Sequence, residues 1–142
     1  YPGDEQAAAL RLARVGSDNV AGYLTVDRDG VFPAQLSDLV QTAPRVTVAE
    51  LDRLLAEDAV LLIDIRNPGE VDQGSIPGAV HIPLAQLRAR LDLVPTDRSI
   101  VVHCAGGWRS SVAASLMRAN GFEHVSDLVG GYNAWAQTHA AV

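Results

Sequence analysis

From residue 45 onward, short apolar runs alternate with stretches whose apolar positions recur every three or four residues. Ala59-Val60-Leu61-Leu62-Ile63-Asp64 is apolar almost without interruption, as a strand buried on both faces of a parallel sheet must be. Ser99-Ile100-Val101-Val102-His103 has the same character, Ala79-Val80-His81-Ile82 is shorter and is stopped by Pro83, and Val125 to Val129 is a further strand. Between them lie helical patterns. Thr47-Val48-Ala49-Glu50 reads as a capping box that opens a helix through Leu51, Leu54 and Leu55. Leu84 to Leu91, Ser110 to Asn120 and Asn133 to Thr138 have helical spacing, and Gly121 falls where a left-handed residue ends the second of these. Strands that alternate with helices predict an α/β domain with a mostly parallel sheet and helices on both faces.

The first 44 residues are patterned differently. Glu5 to Val15 reads as a helix and Asn19 to Val26 as a strand. A loop with Asp27, Asp29 and Gly30 follows, then a short helix-like piece ending near Val40 and a linker at Thr42-Ala43-Pro44. These residues are too few for an α/β domain of their own. They do match a later part of the chain: Ala8, Ala9, Gly16 and Val20 fall on Ala113, Ala114, Gly121 and Val125 at a constant offset of 105 residues. The expected organisation is residues 1–44 as the C-terminal remnant of a preceding, related module plus linker, and residues 45–142 as a complete domain.

Composition narrows the function. The 142 residues are 48% hydrophobic and 20% charged, with net charge -6, a globular profile lacking the cationic surplus that nucleic acid or an anionic membrane surface requires. No apolar run approaches the length of a membrane span, and no signal-peptide pattern opens the sequence. The single cysteine excludes an internal disulfide and fits a reducing compartment, so a cytoplasmic protein is expected. The four histidines have no zinc-ligand spacing, and neither metal nor cofactor is expected.

That cysteine carries the candidate chemistry. It stands in Val102-His103-Cys104-Ala105-Gly106-Gly107-Trp108-Arg109-Ser110-Ser111, directly after a buried strand, at the sheet edge where open α/β folds bind ligands. A lone cysteine after an apolar strand is ordinarily inert. Here two glycines, an arginine and a helix start follow within six residues, which makes an electropositive cradle for an anion. Hydrogen bonds to a charged group are worth about 1.5–3 kcal/mol each, so two or three loop amides suffice to hold the thiol largely ionised near neutrality. Cys104 and Arg109 are the expected catalytic residues, and Ala105, Gly106, Gly107, Trp108 and Ser110 the expected binding loop. Asp64 ends a strand at the same edge, and Arg66 stands close enough to Glu70 to pair with it; Asp64 and Arg66 are expected to support the site. His103 should point to the opposite face of its strand from Cys104.

The loop Cys104 to Arg109 resembles the Cys-x-x-Gly-x-Arg loop of the rhodanese family. Leu62-Ile63-Asp64-Ile65-Arg66 with Glu70, Gly74-Ser75-Ile76-Pro77-Gly78-Ala79 with Ile82-Pro83, and Gly130-Gly131-Tyr132-Asn133-Ala134-Trp135 resemble three further segments of that family. Ser75 stands where the family usually has His, and Val71 where it has an aromatic. The resemblance implies a rhodanese-like fold with a five-stranded sheet, and a sulfurtransferase in which Cys104 becomes a persulfide. Its partners would be a small sulfur donor and a thiol or cyanide acceptor. Two alternatives remain open. Cysteine phosphatases also use a Cys…Arg loop, but with five intervening residues where this chain has the four from Ala105 to Trp108; a non-catalytic interaction module is the other. The resemblance extends to tandem modules, the first degenerate, in fusions with a metallo-β-lactamase-fold domain. At the 105-residue offset the counterpart of Arg109 is Asp4 and that of Gly107 is Pro2. An acid in place of the arginine and a proline in place of a loop amide would leave that first module inactive.

Overall fold

The computed structural model describes residues 3–13, 19–23, 36, 38 and 43–139. The chain divides into two compact units, Tyr1–Thr42 and Ala43–Val142.

The second unit holds one sheet of five parallel strands. They are β1 (Arg45–Val46), β2 (Val60–Asp64), β3 (Val80–His81), β4 (Ser99–His103) and β5 (Val125–Leu128), in the spatial order β1-β5-β4-β2-β3. Counting α1 (Glu5–Ala13) in the first unit, the helices of the second are α2 (Val48–Ala56), α3 (Pro68–Val71), α4 (Leu84–Leu87), α5 (Trp108–Ala119) and α6 (Gly131–His139). A 3-10 turn, Arg88–Leu93, continues α4. The central strands form because they are apolar on both sides. In β2, Leu62 packs with Leu51, Val101 and Leu128 beneath α2 and α6, while its neighbour Ile63 packs with Val102, Ala113, Ala114 and Met117 beneath α5. Helix α2 starts as expected: Thr47 and Glu50 form a reciprocal capping box. Gly121, at φ +90°, ends α5.

This order places the site. From β2 the chain passes through α3 toward β3 on one side; from β4 it passes through α5 toward β5 on the other. Adjacent strands whose connections leave in opposite directions open a crevice at their carboxyl ends. The crevice here lies between the loop after Asp64 and the loop after His103, whose strands pair Asp64↔His103.

Three elements differ from expectation. Strand β1 has two residues, too short for a periodic signal, and the four-residue α3 was not anticipated. Residues 19–23 take no strand or helix conformation. A strand is defined by its ladder, and these residues have none. The rest of that expected strand, the Asp27–Gly30 loop and nearly all of the piece ending near Val40 lie outside the described residues, as do Arg14 and Val15 of the expected first helix. Among the described residues no helix is long and apolar enough to cross a membrane.

Candidate active site

Cys104 leaves β4 with its side chain turned into the protein; the residue is 2% exposed. Its sulfur accepts a hydrogen bond from the Gly107 amide at 3.1 Å, and the Ser110 hydroxyl lies 3.6 Å away. The loop curls because Gly107 adopts φ +107°, a left-handed conformation open to glycine, immediately before α5 begins. A second helix fixes the orientation of its peptides. The first-turn amides of α6 capture two loop carbonyls: Tyr132 N–H donates to Cys104 O at 2.7 Å, and Asn133 N–H to Ala105 O at 3.0 Å. In a trans peptide the C=O and N–H point in opposite directions. Drawing the Ala105 carbonyl toward α6 therefore turns the Gly106 N–H toward the sulfur.

Two helix starts thus converge on the loop, each presenting amides free of intrahelical partners. Burial works against ionisation of Cys104. The Ser110 hydroxyl and the Ser110, Gly107 and Gly106 amides outweigh it, and the thiol titrates below its ordinary value. Ser110 also donates from its hydroxyl to Gly107 O at 2.9 Å. A hydroxyl has one proton, so it serves either that carbonyl or an ionised sulfur at a given moment.

The expected supporting residues Asp64 and Arg66 pair with each other, and Glu70 pairs with Arg109. Arg66 does not pair with the Glu70 carboxylate. Its guanidinium is held by Asp64, with Nη2 at 2.6 Å and Nε at 3.0 Å, and donates to the backbone carbonyls of Glu70 and Gly74. A buried carboxylate needs a cation more than an exposed one does, and Asp64 is fully buried. Burial opposes its charge, but Arg66 outweighs burial and lowers the Asp64 pKa. The Arg66 guanidinium also lies 4.0 Å from the centroid of the Tyr132 ring. This pair therefore braces the β2 turn against α6, which holds the loop carbonyls. His103 is fully buried 3.6 Å from Asp64, on the strand face opposite Cys104 as expected, and burial holds its pKa down despite that carboxylate.

Arg109 takes the Glu70 carboxylate instead, through two parallel hydrogen bonds of 2.7 Å. This fork spans the crevice and ties the start of α5 to α3. The Arg109 hydrogen bonds, chiefly, bring the Glu70 pKa down to about 2, against a burial effect and helped by the Asn67 amide. Because the folded value lies below the unfolded one, the stabilisation is complete above about pH 4.3 and is lost as pH falls through about 2. Both side chains are one-third exposed, so solvent screening keeps the effect near about 1 kcal/mol. Glu70→Gln should melt below the parent at pH 6 and with it near pH 2. An equal gap at both pH values would show that the charge is not the cause.

Of the remaining loop residues, Ala105 is half-buried and Gly106 exposed. Trp108 is 88% exposed, standing at the loop's rim without packing against it. Ser75 is exposed and Val71 half-buried. Sequence reasoning missed Gly131 as a site residue, as well as the pairing of Arg45 with Asp127. A charged residue within an otherwise buried strand, as Asp127 is, was the available signal for the second.

Fold and loop together define an α/β domain in which a buried cysteine sits in a loop of inward-turned amides at the carboxyl edge of a parallel sheet. Residues 47–138 match the family model of the rhodanese-like domain, and the chain belongs to that family. It is 40% identical over 85 residues to a sulfurtransferase of Allochromatium vinosum, covering 60% of this chain and 79% of the relative. It is 31% identical over 109 residues to the human thiosulfate:glutathione sulfurtransferase, covering 67% and 95%. Among solved structures, reduced Bacillus anthracis CoADR-RHD superposes with a TM-score of 0.65 at 37% identity, covering 69% of this chain but only 17% of that one.

Proposed function

We propose that the chain is a sulfurtransferase that carries sulfane sulfur on Cys104. The Cys104 thiolate attacks the outer sulfur of a donor such as thiosulfate or a low-molecular-weight persulfide. A new S–S bond forms, the donor's S–S bond breaks, and sulfite or the parent thiolate leaves with the electron pair, giving Cys–S–S⁻. An acceptor thiolate, or cyanide, then attacks the terminal sulfur, takes it, and regenerates the Cys104 thiolate. The observation that carries this reading is the loop itself: a buried sulfur 3.1 Å from an inward amide, in a Cys…Arg loop one residue shorter than that of the cysteine phosphatases. A phosphatase reading is further disfavoured because the Arg109 fork is occupied by Glu70. The relatives named as sulfurtransferases support the proposal. Intact mass spectrometry after incubation with thiosulfate or glutathione persulfide tests it. A gain of about 32 Da, reversed by cyanide or a thiol, is expected; no gain with either donor in a folded sample would sink it.

The proposal places the protein in the cytoplasm and extends to residues 1–44 as the tail of a second, inactive rhodanese-like module, itself linked to a metallo-β-lactamase-fold domain. An apolar groove in the first unit supports the module. It is lined by Ala8, Ala9, Leu12, Val20 and Tyr23 among others. At the 105-residue offset these fall on Ala113, Ala114, Met117, Val125 and Leu128, all fully buried in the complete domain. The groove is then the core-facing side of a module whose other half lies elsewhere. Removing residues 1–42 should leave the melting temperature of the remaining domain and the alkylation rate of Cys104 unchanged. A drop of more than about 5 °C, roughly 1 kcal/mol for a domain of this size, would show that these residues belong to the complete domain.

A further inference from the structure

A thiolate and an anionic donor repel each other, so a cation must face the approaching donor. Arg109 was expected to supply it. Its charge is, however, matched by Glu70, and the two side chains are equally exposed, each at 33%. A donor in the crevice meets both charges at once. Arg66 is 2% exposed and committed to Asp64.

Arg45 is differently arranged. It opens β1 and pairs in register with Asp127 of β5. Its Nε and Nη2 clasp the Asp127 carboxylate at 3.0 to 3.3 Å. Here the exposures are unequal: the Arg45 side chain is 50% exposed and that of Asp127 2%. The carboxylate lies behind the guanidinium and only the cation faces solvent, so the pair is a dipole with its positive end outward. It is also beside the loop. A methyl group built on Gly107 would lie 3.6 Å from Arg45 Nη2, and Gly107 is the residue whose amide holds the sulfur. The buried carboxylate fixes the guanidinium plane, so little conformational entropy is lost when it binds an anion.

We propose that Arg45 is a specificity-determining residue that recognises the oxyanion group of the sulfur donor, a sulfonate or a carboxylate, while the donor's sulfur reacts at Cys104. The clause about sulfur rests on the proposed sulfurtransferase function; the recognition of an anion does not. Its free N–H groups donate charge-assisted hydrogen bonds to the oxyanion. Arg109 acts instead as a positioning residue for the start of α5.

Two measurements on Arg45→Gln and Arg45→Lys separate the claims. The first is alkylation of Cys104 by iodoacetate, an anion, and by iodoacetamide, its neutral analogue. Arg45→Gln should lower the iodoacetate-to-iodoacetamide rate ratio about 5- to 10-fold, and Arg45→Lys should restore most of it. High salt should narrow the difference. The second is steady-state transfer: Arg45→Gln should raise KM for thiosulfate by a similar factor with kcat nearly unchanged. A matching KM rise for glutathione persulfide would assign carboxylate recognition as well, whereas an effect confined to thiosulfate would assign the sulfonate alone. Asp127 loses its partner in Arg45→Gln, so Arg45→Gln/Asp127→Asn serves as the second variant if the first is poorly folded. An unchanged alkylation ratio in a folded variant overturns the proposal. If the parent chain takes no sulfur from any donor, the sulfurtransferase reading fails while the alkylation ratio still decides the role of Arg45.

Discussion

Cys104→Ser should abolish sulfur transfer, by about 10⁴-fold or more, and eliminate the mass adduct while leaving the fold intact. The site explains both halves. The exchange of sulfur for oxygen changes little in volume at a position that is 2% exposed, and a serine hydroxyl can still accept the Gly107 amide that the sulfur accepts at 3.1 Å. The core beneath it, Ile63, Val102 and Ala113, keeps its contacts, so stability should change by no more than about 1 kcal/mol. The chemistry does not survive. The Ser110 hydroxyl and the loop amides lower the thiol pKa from its ordinary value, but an alcohol starts far too high for the same donors to ionise it. Residual transfer above about 1% of the parent rate, in a sample free of wild-type protein, would mean that sulfur travels by a route that bypasses Cys104. A large loss of melting temperature would mean instead that the sulfur is part of the packing.

What could be read in the sequence follows from how each element is stabilised. Strands β2 and β4 were legible to within a residue because both faces are buried and the apolar run has no polar gaps. The reactive loop was legible because its residues are contiguous. Relations across the fold were not. Arg66 and Glu70 look like a pair at a spacing of four residues, yet the buried Asp64 claims Arg66 and Glu70 turns to Arg109, thirty-nine positions away. Burial decides between partners, and the sequence does not state which carboxylate is buried. Strand β1 was invisible for a related reason. Two residues have no period, and Arg45–Val46 are a strand only because β5 offers them a parallel edge. Residues 19–23 are the converse case: a strand-like composition that takes no strand conformation.

The least legible site residue carries the second large effect. Gly131→Ala should reduce sulfur transfer by about 10²–10³-fold. Gly131 opens α6 at φ +58°, where an L-residue costs about 1–2 kcal/mol. The steric problem is greater than the conformational one. A methyl group there would lie 2.4 Å from Cys104 O and 2.7 Å from Ala105 O. Both obstacles are backbone, so neither can swing aside as a flexible side chain would. To clear it, the loop must move away from α6, and the hydrogen bonds from Tyr132 and Asn133 to those carbonyls lengthen. The Ala105–Gly106 peptide then loses the constraint that turns its N–H toward the sulfur. Burial is left to act with weaker opposition, and the Cys104 pKa rises. The alkylation rate of Cys104 as a function of pH reads this directly: the Gly131→Ala profile should shift to higher pH, with a loss in transfer at neutrality. Gly69→Ala is the matched control, because a methyl group there meets nothing within 4 Å and should leave the profile in place. A Gly131→Ala variant that is folded, with an unshifted profile and undiminished transfer, would show that the inward amides are held by the loop alone and not by the start of α6.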